Sequence, residues 1–230
     1  MKTIGLIGGM SWESSAEYYR MINEAVRRRL GGLHSAKCIL SSLDFAEVER
    51  CQSSGDWDAA AAILRDAACG LEAAGADFIL IGANTMHKVI EPVQAGIHIP
   101  ILHIADLTAA AVLAQGIQTV GLLGTKYTME EDFYTGRLVA QGIRVLVPEA
   151  ADRALVNAVI YDELCVGQVL DASRAEFKRI MAGLVERGAQ GIILGCTELD
   201  LLVSPEDSPV PLFDTTLIHA EGAVETALAA

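Results

Sequence analysis

The chain has little positive charge: 17 lysines and arginines stand against 30 aspartates and glutamates, a formal net charge of −13 over 230 residues. So acidic a surface repels a phosphate backbone, which argues against a nucleic-acid partner. Long apolar runs are missing as well. No stretch approaches the ~20 consecutive apolar residues of a membrane span. The opening Met1-Lys2-Thr3-Ile4-Gly5-Leu6-Ile7-Gly8 enters strand-like sequence without the basic, apolar and small-residue order of an export signal. A cytoplasmic protein with no membrane partner is the expectation. Cys38, Cys51, Cys69, Cys165 and Cys196 contain no C-x-x-C pair, which points away from both a zinc site and a disulfide framework. The histidines show no ligand spacing, so no metal is expected. Gly5-x-x-Gly8-Gly9 is not the G-x-G-x-x-G spacing, which disfavours a dinucleotide cofactor.

What the chain does have is 52% hydrophobic residues, enough to bury one large core or two smaller ones. They come in short runs. Strands are expected over 3–8, 37–43, 77–82, 99–104, 118–123, 143–147, 190–195 and 210–213, each bounded by glycine, proline or polar residues. Helices are expected over 14–30, 56–74, 105–115, 129–140, 152–166, 172–187 and 215–229, with Gly31, Gly75, Gly116, Gly142 and Gly188 at C-termini. Alternation of this kind predicts an α/β fold with mostly parallel strands, four in each half.

The halves repeat one another. Thr3-Ile4-Gly5-Leu6-Ile7-Gly8-Gly9 matches Thr119-Val120-Gly121-Leu122-Leu123-Gly124-Thr125, and Ile99-Pro100-Ile101-Leu102-His103 matches Val210-Pro211-Leu212-Phe213-Asp214. Between them, Leu80-Ile81-Gly82-Ala83-Asn84-Thr85 matches Ile193-Leu194-Gly195-Cys196-Thr197-Glu198. The repeat predicts two pseudo-symmetric lobes, residues 1–105 with 214–230 and residues 106–213, whose equivalent loops face each other across a cleft. Cys196 then faces Ala83.

Cys196 is the leading candidate for chemistry. It follows Gly195 at the end of a buried apolar strand, where amides of the next turn are expected to lower a thiol's pKa and where the side chain stays accessible. Asn84 and Thr85 occupy the matching place and read equally as an N-cap pair for a helix starting near Met86. Free N–H groups at two such turns would hold the carboxylate of a small acid. Ser11, after Gly8-Gly9-Met10, and Thr125, after Gly124, add hydroxyl or amide donors from the first loop of each half.

Ile4-Gly5-Leu6-Ile7-Gly8-Gly9-Met10-Ser11, Asn84-Thr85-Met86-His87 and Gly195-Cys196-Thr197-Glu198 together resemble the aspartate/glutamate racemase family over the whole chain, and within it the bacterial branch that includes broad-specificity amino-acid racemases. The resemblance implies two α/β lobes enclosing an amino acid, a homodimer, and neither pyridoxal phosphate nor a metal. It implies two cysteines that exchange the α-proton from opposite faces, Cys196 being one, with Asn84, Thr85 and Thr197 on the substrate's carboxylate and amino group. Met10, Ser11 and Thr125 join the expected binding set.

The family's other cysteine falls at Ala83, and a methyl group carries no proton. Three accounts stay open: His87, a water or the Thr85 hydroxyl acts on that side; the enzyme works on one enantiomer; or Ala83 is an inactivating replacement. The basic residues that hold an acidic side chain in the family fall near Gln52 and Cys165, neither of them charged, while Lys126 in the second half's first loop offers a cation. An amino-acid racemase is therefore expected, with a one-thiol lyase or an amino-acid-binding protein as alternatives.

Overall fold

The computed structural model describes residues 1–229. Its elements run β1 (Ile4–Gly8), α1 (Trp12–Leu30), β2 (Cys38–Ser42), α2 (Phe45–Ser54), α3 (Trp57–Ala73), β3 (Phe78–Ile81), α4 (Ile90–Gln94), β4 (Ile101–Leu102) and α5 (Ile104–Ala114). The second half repeats the theme with β5 (Thr119–Gly124), α6 (Lys126–Glu130), α7 (Asp132–Ala140), β6 (Arg144–Leu146), α8 (Ala150–Asp162), α9 (Asp171–Glu186), β7 (Gly191–Gly195), α10 (Leu199–Leu202), β8 (Leu212–Asp214) and α11 (Thr215–Leu228). Short 3-10 turns cover Thr85–Val89, Leu164–Val166 and Pro205–Asp207.

Two four-stranded sheets form, in the orders β2-β1-β3-β4 and β6-β5-β7-β8. Every strand pairing among the described residues is parallel, so the α/β class and the four strands per half stand as the sequence predicts. The chain divides into two compact units, Met1–Ile104 with the stretch from His219 onward, and Ala105–Ile218. That division falls at the start of α5 and inside α11.

In the first unit the alternation of strand side chains sorts the core into two layers. Ile7, Ile79 and Ile81 pack with Val48, Leu64, Ala68, Leu71 and Met86 on one face. Ile4, Leu6, Phe78 and Leu80 pack with Tyr18, Ile22 and Val26 of α1 and Ala220, Ala223 and Val224 of α11 on the other. In the second unit Val120, Leu122, Ile192, Ile193 and Phe213 of the sheet and Tyr134, Leu138, Val156, Phe177, Ile180 and Leu184 of its helices are buried.

Some local expectations need correction. Residues 45–54 form α2, a helix not among those expected from sequence; Asp44 caps it by accepting from the Ala46 N–H and the left-handed Gly55 ends it. The helix expected over 129–140 is two helices, broken at Glu131, whose extended backbone (φ −110°, ψ 153°) cannot continue a helix. The helix expected over 152–166 runs from Ala150 to Asp162. β4 keeps only two residues of the 99–104 run, because Pro100 has no N–H for the ladder and the helical backbone starts again at Ile104.

Candidate functional site

In each sheet the strand order reverses between the first and third strands, β1 and β3 in one unit, β5 and β7 in the other. Loops leaving the carboxyl ends of such a pair diverge to opposite faces and open a crevice, which is where α/β sheets bind ligands. All four loops singled out from sequence leave these ends.

The first loops are built alike. In the first unit the chain passes against the backbone of Leu43: a Cβ on Gly9 would lie 2.2 Å from the Leu43 carbonyl oxygen, and Gly9 has φ +86°, so only glycine fits there. Ser11 then caps α1 by accepting from the Ser14 N–H, with the two hydroxyls 3.2 Å apart. In the second unit Thr125 caps α6 by accepting from the Thr128 N–H, with those hydroxyls also 3.2 Å apart. Both residues are buried, and both spend a lone pair holding their helix. Met10 is buried in the core layer that contains Val48 and Leu64.

The loops after the third strands differ. In the second unit Cys196 is partly buried and its thiol donates to Glu198 Oε2 at 3.0 Å. The same oxygen accepts from the Thr197 hydroxyl at 2.8 Å. Burial first, then the negative charge of Glu198, then the neighbouring Cys165 thiol, push the Cys196 thiol well above its ordinary range. The expectation of a lowered thiol pKa is thus overturned. The following helix, α10, has four residues, too short to oppose a buried carboxylate two residues away. Glu198 was part of the motif in the sequence but received no role; an acidic residue two positions after a strand-end cysteine is the signal that could have assigned one.

In the first unit Ala83 packs against the core, and Asn84 and Thr85 are buried. Asn84 sits just before the Thr85–Val89 turn with helical backbone angles (φ −61°, ψ −49°) and makes no side-chain cap, so the N-cap reading fails: capping needs an extended backbone that turns the side chain onto the next amides. His87 is buried, with Nδ1 2.9 Å from the Ala83 carbonyl oxygen and Nε2 accepting from the Ile104 N–H at 3.3 Å. Both ring nitrogens are committed, which leaves no lone pair for the helper role expected of it.

Gln52 of α2 is buried and donates through Nε2 to the Met86 sulfur at 3.0 Å, so α2 carries it to the turn after Ala83. Cys165 lies in the Leu164–Val166 turn, near enough to influence Cys196 electrostatically. Lys126 is exposed, with its ammonium 4.9 Å from the Tyr127 ring centre. Among the described residues no cluster of three metal-ligating side chains occurs and no helix is long and apolar enough to cross a membrane.

Residues 7–223 match the family model described as Asp/Glu/Hydantoin racemase. A crystal structure described as a “putative Asp/Glu Racemase from Yersinia pestis” shares 53% identity over the full length of both chains, with a TM-score of 0.93. An aspartate racemase homologue from Pyrococcus horikoshii OT3 shares 36% over both full chains at a TM-score of 0.86. The broad specificity amino-acid racemase RacX of Bacillus subtilis (strain 168) is 28% identical over 174 residues, 76% of this chain and 75% of RacX.

Proposed function

Because the chain belongs to the Asp/Glu/Hydantoin racemase family, we propose that it is an amino-acid racemase that moves the Cα proton at Cys196 without a cofactor. The observation that carries this reading is the Cys196 thiol hydrogen-bonded at 3.0 Å to the buried Glu198 carboxylate, at the strand end where the order reverses. The resting pair is a neutral thiol and a carboxylate. Glu198 takes the thiol proton; the thiolate then abstracts the Cα proton, and the negative charge moves into the substrate carboxylate. A water or the Thr85 hydroxyl delivers the proton to the opposite face; in the reverse direction that group's conjugate base abstracts, the Cys196 thiol protonates the carbanion and Glu198 reprotonates the sulfur. A thiol pushed upward in pKa rests protonated and gives a more basic thiolate once Glu198 takes its proton, which favours abstraction of a weakly acidic Cα proton.

Thr197 orients Glu198 through its hydroxyl, while Asn84, Thr85, Ser11 and Thr125 contact the substrate's carboxylate and amino group. Met10 shapes the first loop from beneath. Gln52 and Cys165, uncharged where acid-specific relatives carry cations, select neutral or longer side chains, and Lys126 supplies the single basic group of the set. His87 is left out of proton transfer by its two hydrogen bonds. A cytoplasmic homodimer belongs to the same reading.

Ala83 supports a second reading. Racemisation needs a proton carrier for each face of Cα, whereas a decarboxylating lyase makes its carbanion by losing carbon dioxide and needs one donor only. Proton NMR in deuterated water over L- and D-amino acids, beside product analysis with substituted malonates, separates the two. Conversion of one enantiomer into the other with α-hydrogen exchange, both falling about a thousandfold in Cys196→Ser, establishes the racemase reading. Malonate decarboxylation without exchange replaces it with the lyase, and ligand stabilisation with neither activity leaves a binding protein.

A further inference from the structure

Beneath the Ala83 strand end the first unit buries an unusual polar chain. Tyr18 Oη lies 2.9 Å from His219 Nδ1, and His219 Nε2 lies 3.0 Å from the Leu102 carbonyl oxygen. Two residues on, the Ile104 N–H meets His87 Nε2, and His87 Nδ1 meets the Ala83 carbonyl oxygen. His219 and His87 are 0% and 1% exposed. Their ring centres are 5.9 Å apart, edge to face, and the His103 ring centre is 4.6 Å from that of His87.

These contacts determine the protons. A carbonyl oxygen only accepts, so His219 must carry its proton on Nε2 and accept from the Tyr18 hydroxyl on Nδ1. A backbone N–H only donates, so His87 must accept on Nε2 and carry its proton on Nδ1, where the Ala83 carbonyl takes it. The segment from Leu102 to Ile104 is therefore gripped at one end by His219 and presents its Ile104 N–H to His87 at the other. Each ring is confined to one neutral tautomer.

We propose that His87 is a positioning residue: held in the Nδ1–H tautomer by the Ile104 amide, itself steadied by Tyr18 and His219, it sets the plane of the Ala83–Asn84 peptide and so the aim of Asn84. The functional part rests on the reading above, in which Asn84 contacts the substrate. In the second unit Asp200 occupies the place equivalent to His87, and Glu198 gathers the Cys196 thiol and the Thr197 hydroxyl at the strand end.

Long-range nitrogen–proton NMR of the imidazoles reads the tautomers directly, with or without turnover. Nδ1–H for His87 and Nε2–H for His219 are expected; Nε2–H for His87 overturns the proposal. Two variants then separate positioning from packing. His87→Asn keeps an N–H in place of Nδ1–H and His87→Leu does not, while both lose the acceptor for Ile104. Both should lower Tm. His87→Leu should also lower kcat for α-hydrogen exchange about fivefold, the size expected for one hydrogen bond, and quicken hydrogen exchange at the Asn84 amide, with His87→Asn recovering both. Equal Asn84 exchange in the two variants overturns the proposal. A wild-type chain that turns over no amino acid sinks the racemase reading instead, and the Asn84 amide still decides whether His87 positions it.

Discussion

The two units share a strand order and a first loop built alike, yet their third-strand ends have opposite chemistry. Cys196-Thr197-Glu198 gathers a thiol, a hydroxyl and a carboxylate on one oxygen. Ala83-Asn84-Thr85, at the matching place, is neutral and is steadied from below by His87. The same backbone thus holds titratable groups in one copy and fixed polar groups in the other. A duplicated strand-end loop preserves the position of a side chain, and the residue placed there sets whether that position carries a titratable group.

A second contrast lies in the cores. Tyr18 and Tyr134 are both fully buried, and each reaches the fifth residue of a helix that follows a fourth strand: His219 of α11 for Tyr18, Thr108 of α5 for Tyr134. Each unit closes with the helix that the other half of the sequence begins, because the chain divides before most of α5 and within α11. The Tyr18 hydroxyl meets His219 at 2.9 Å; that of Tyr134 meets Thr108 at 3.5 Å, and burial pushes the Tyr134 hydroxyl far above its ordinary pKa.

Making the two strand ends chemically alike should have the largest effect. Ala83→Cys is expected to raise racemisation by about a hundredfold, the scale of one added acid–base group; chiral chromatography of both enantiomers measures it, and an unchanged rate would mean that Ala83 is not where a second proton carrier belongs. Removing the charge that distinguishes the second strand end comes next. In Glu198→Gln the exchange rate should fall about tenfold, while the pH midpoint of Cys196 alkylation moves down, because the Glu198 charge raises that thiol. A midpoint that stays or rises would contradict the assignment.

The core contrast gives a pH-dependent effect confined to the first unit. Burial, helped by His87, holds His219 at about 3 against an ordinary 6.5. The unfolded chain takes up a proton near 6.5 and the folded one only near 3, so the stability contributed is complete above 6.5 and is lost as pH falls through that window. The slope from this group is at most about 1.4 kcal/mol per pH unit. Urea titrations across the window should show His219→Gln with a flatter profile than the parent chain; parallel profiles would refute it. The smallest effect expected is the difference between Tyr18→Phe and Tyr134→Phe. The first should cost about 1 kcal/mol and the second less, given the longer hydrogen bond, and a reversed order in thermal unfolding would break the comparison.

Much of this was legible in the residues. The paired runs around Ile7, Leu80, Leu122 and Ile193 announce buried parallel strands because both faces are covered, and glycines such as Gly31, Gly75 and Gly142, all at positive φ, end their helices as their lack of a Cβ allows. The helix α2 escaped because its ten residues bury only Val48 and Gln52, too few for a periodic stripe. The sign of the Cys196 shift escaped because it depends on how deeply the sulfur is buried and on which way Glu198 turns, and neither has a signature along the chain.

The order of apolar runs and glycines, by itself, determined the α/β class, the twofold repeat and which loops leave the strand ends, since these follow from local geometry and from periodicity. Tertiary structure alone decided what those strand ends contain. Packing brought Glu198 onto the Cys196 sulfur, carried Gln52 to Met86, and closed the first unit with His219 from more than a hundred residues beyond its fourth strand. Such placements turn on side-chain packing and on desolvation, which exist only once the chain is folded.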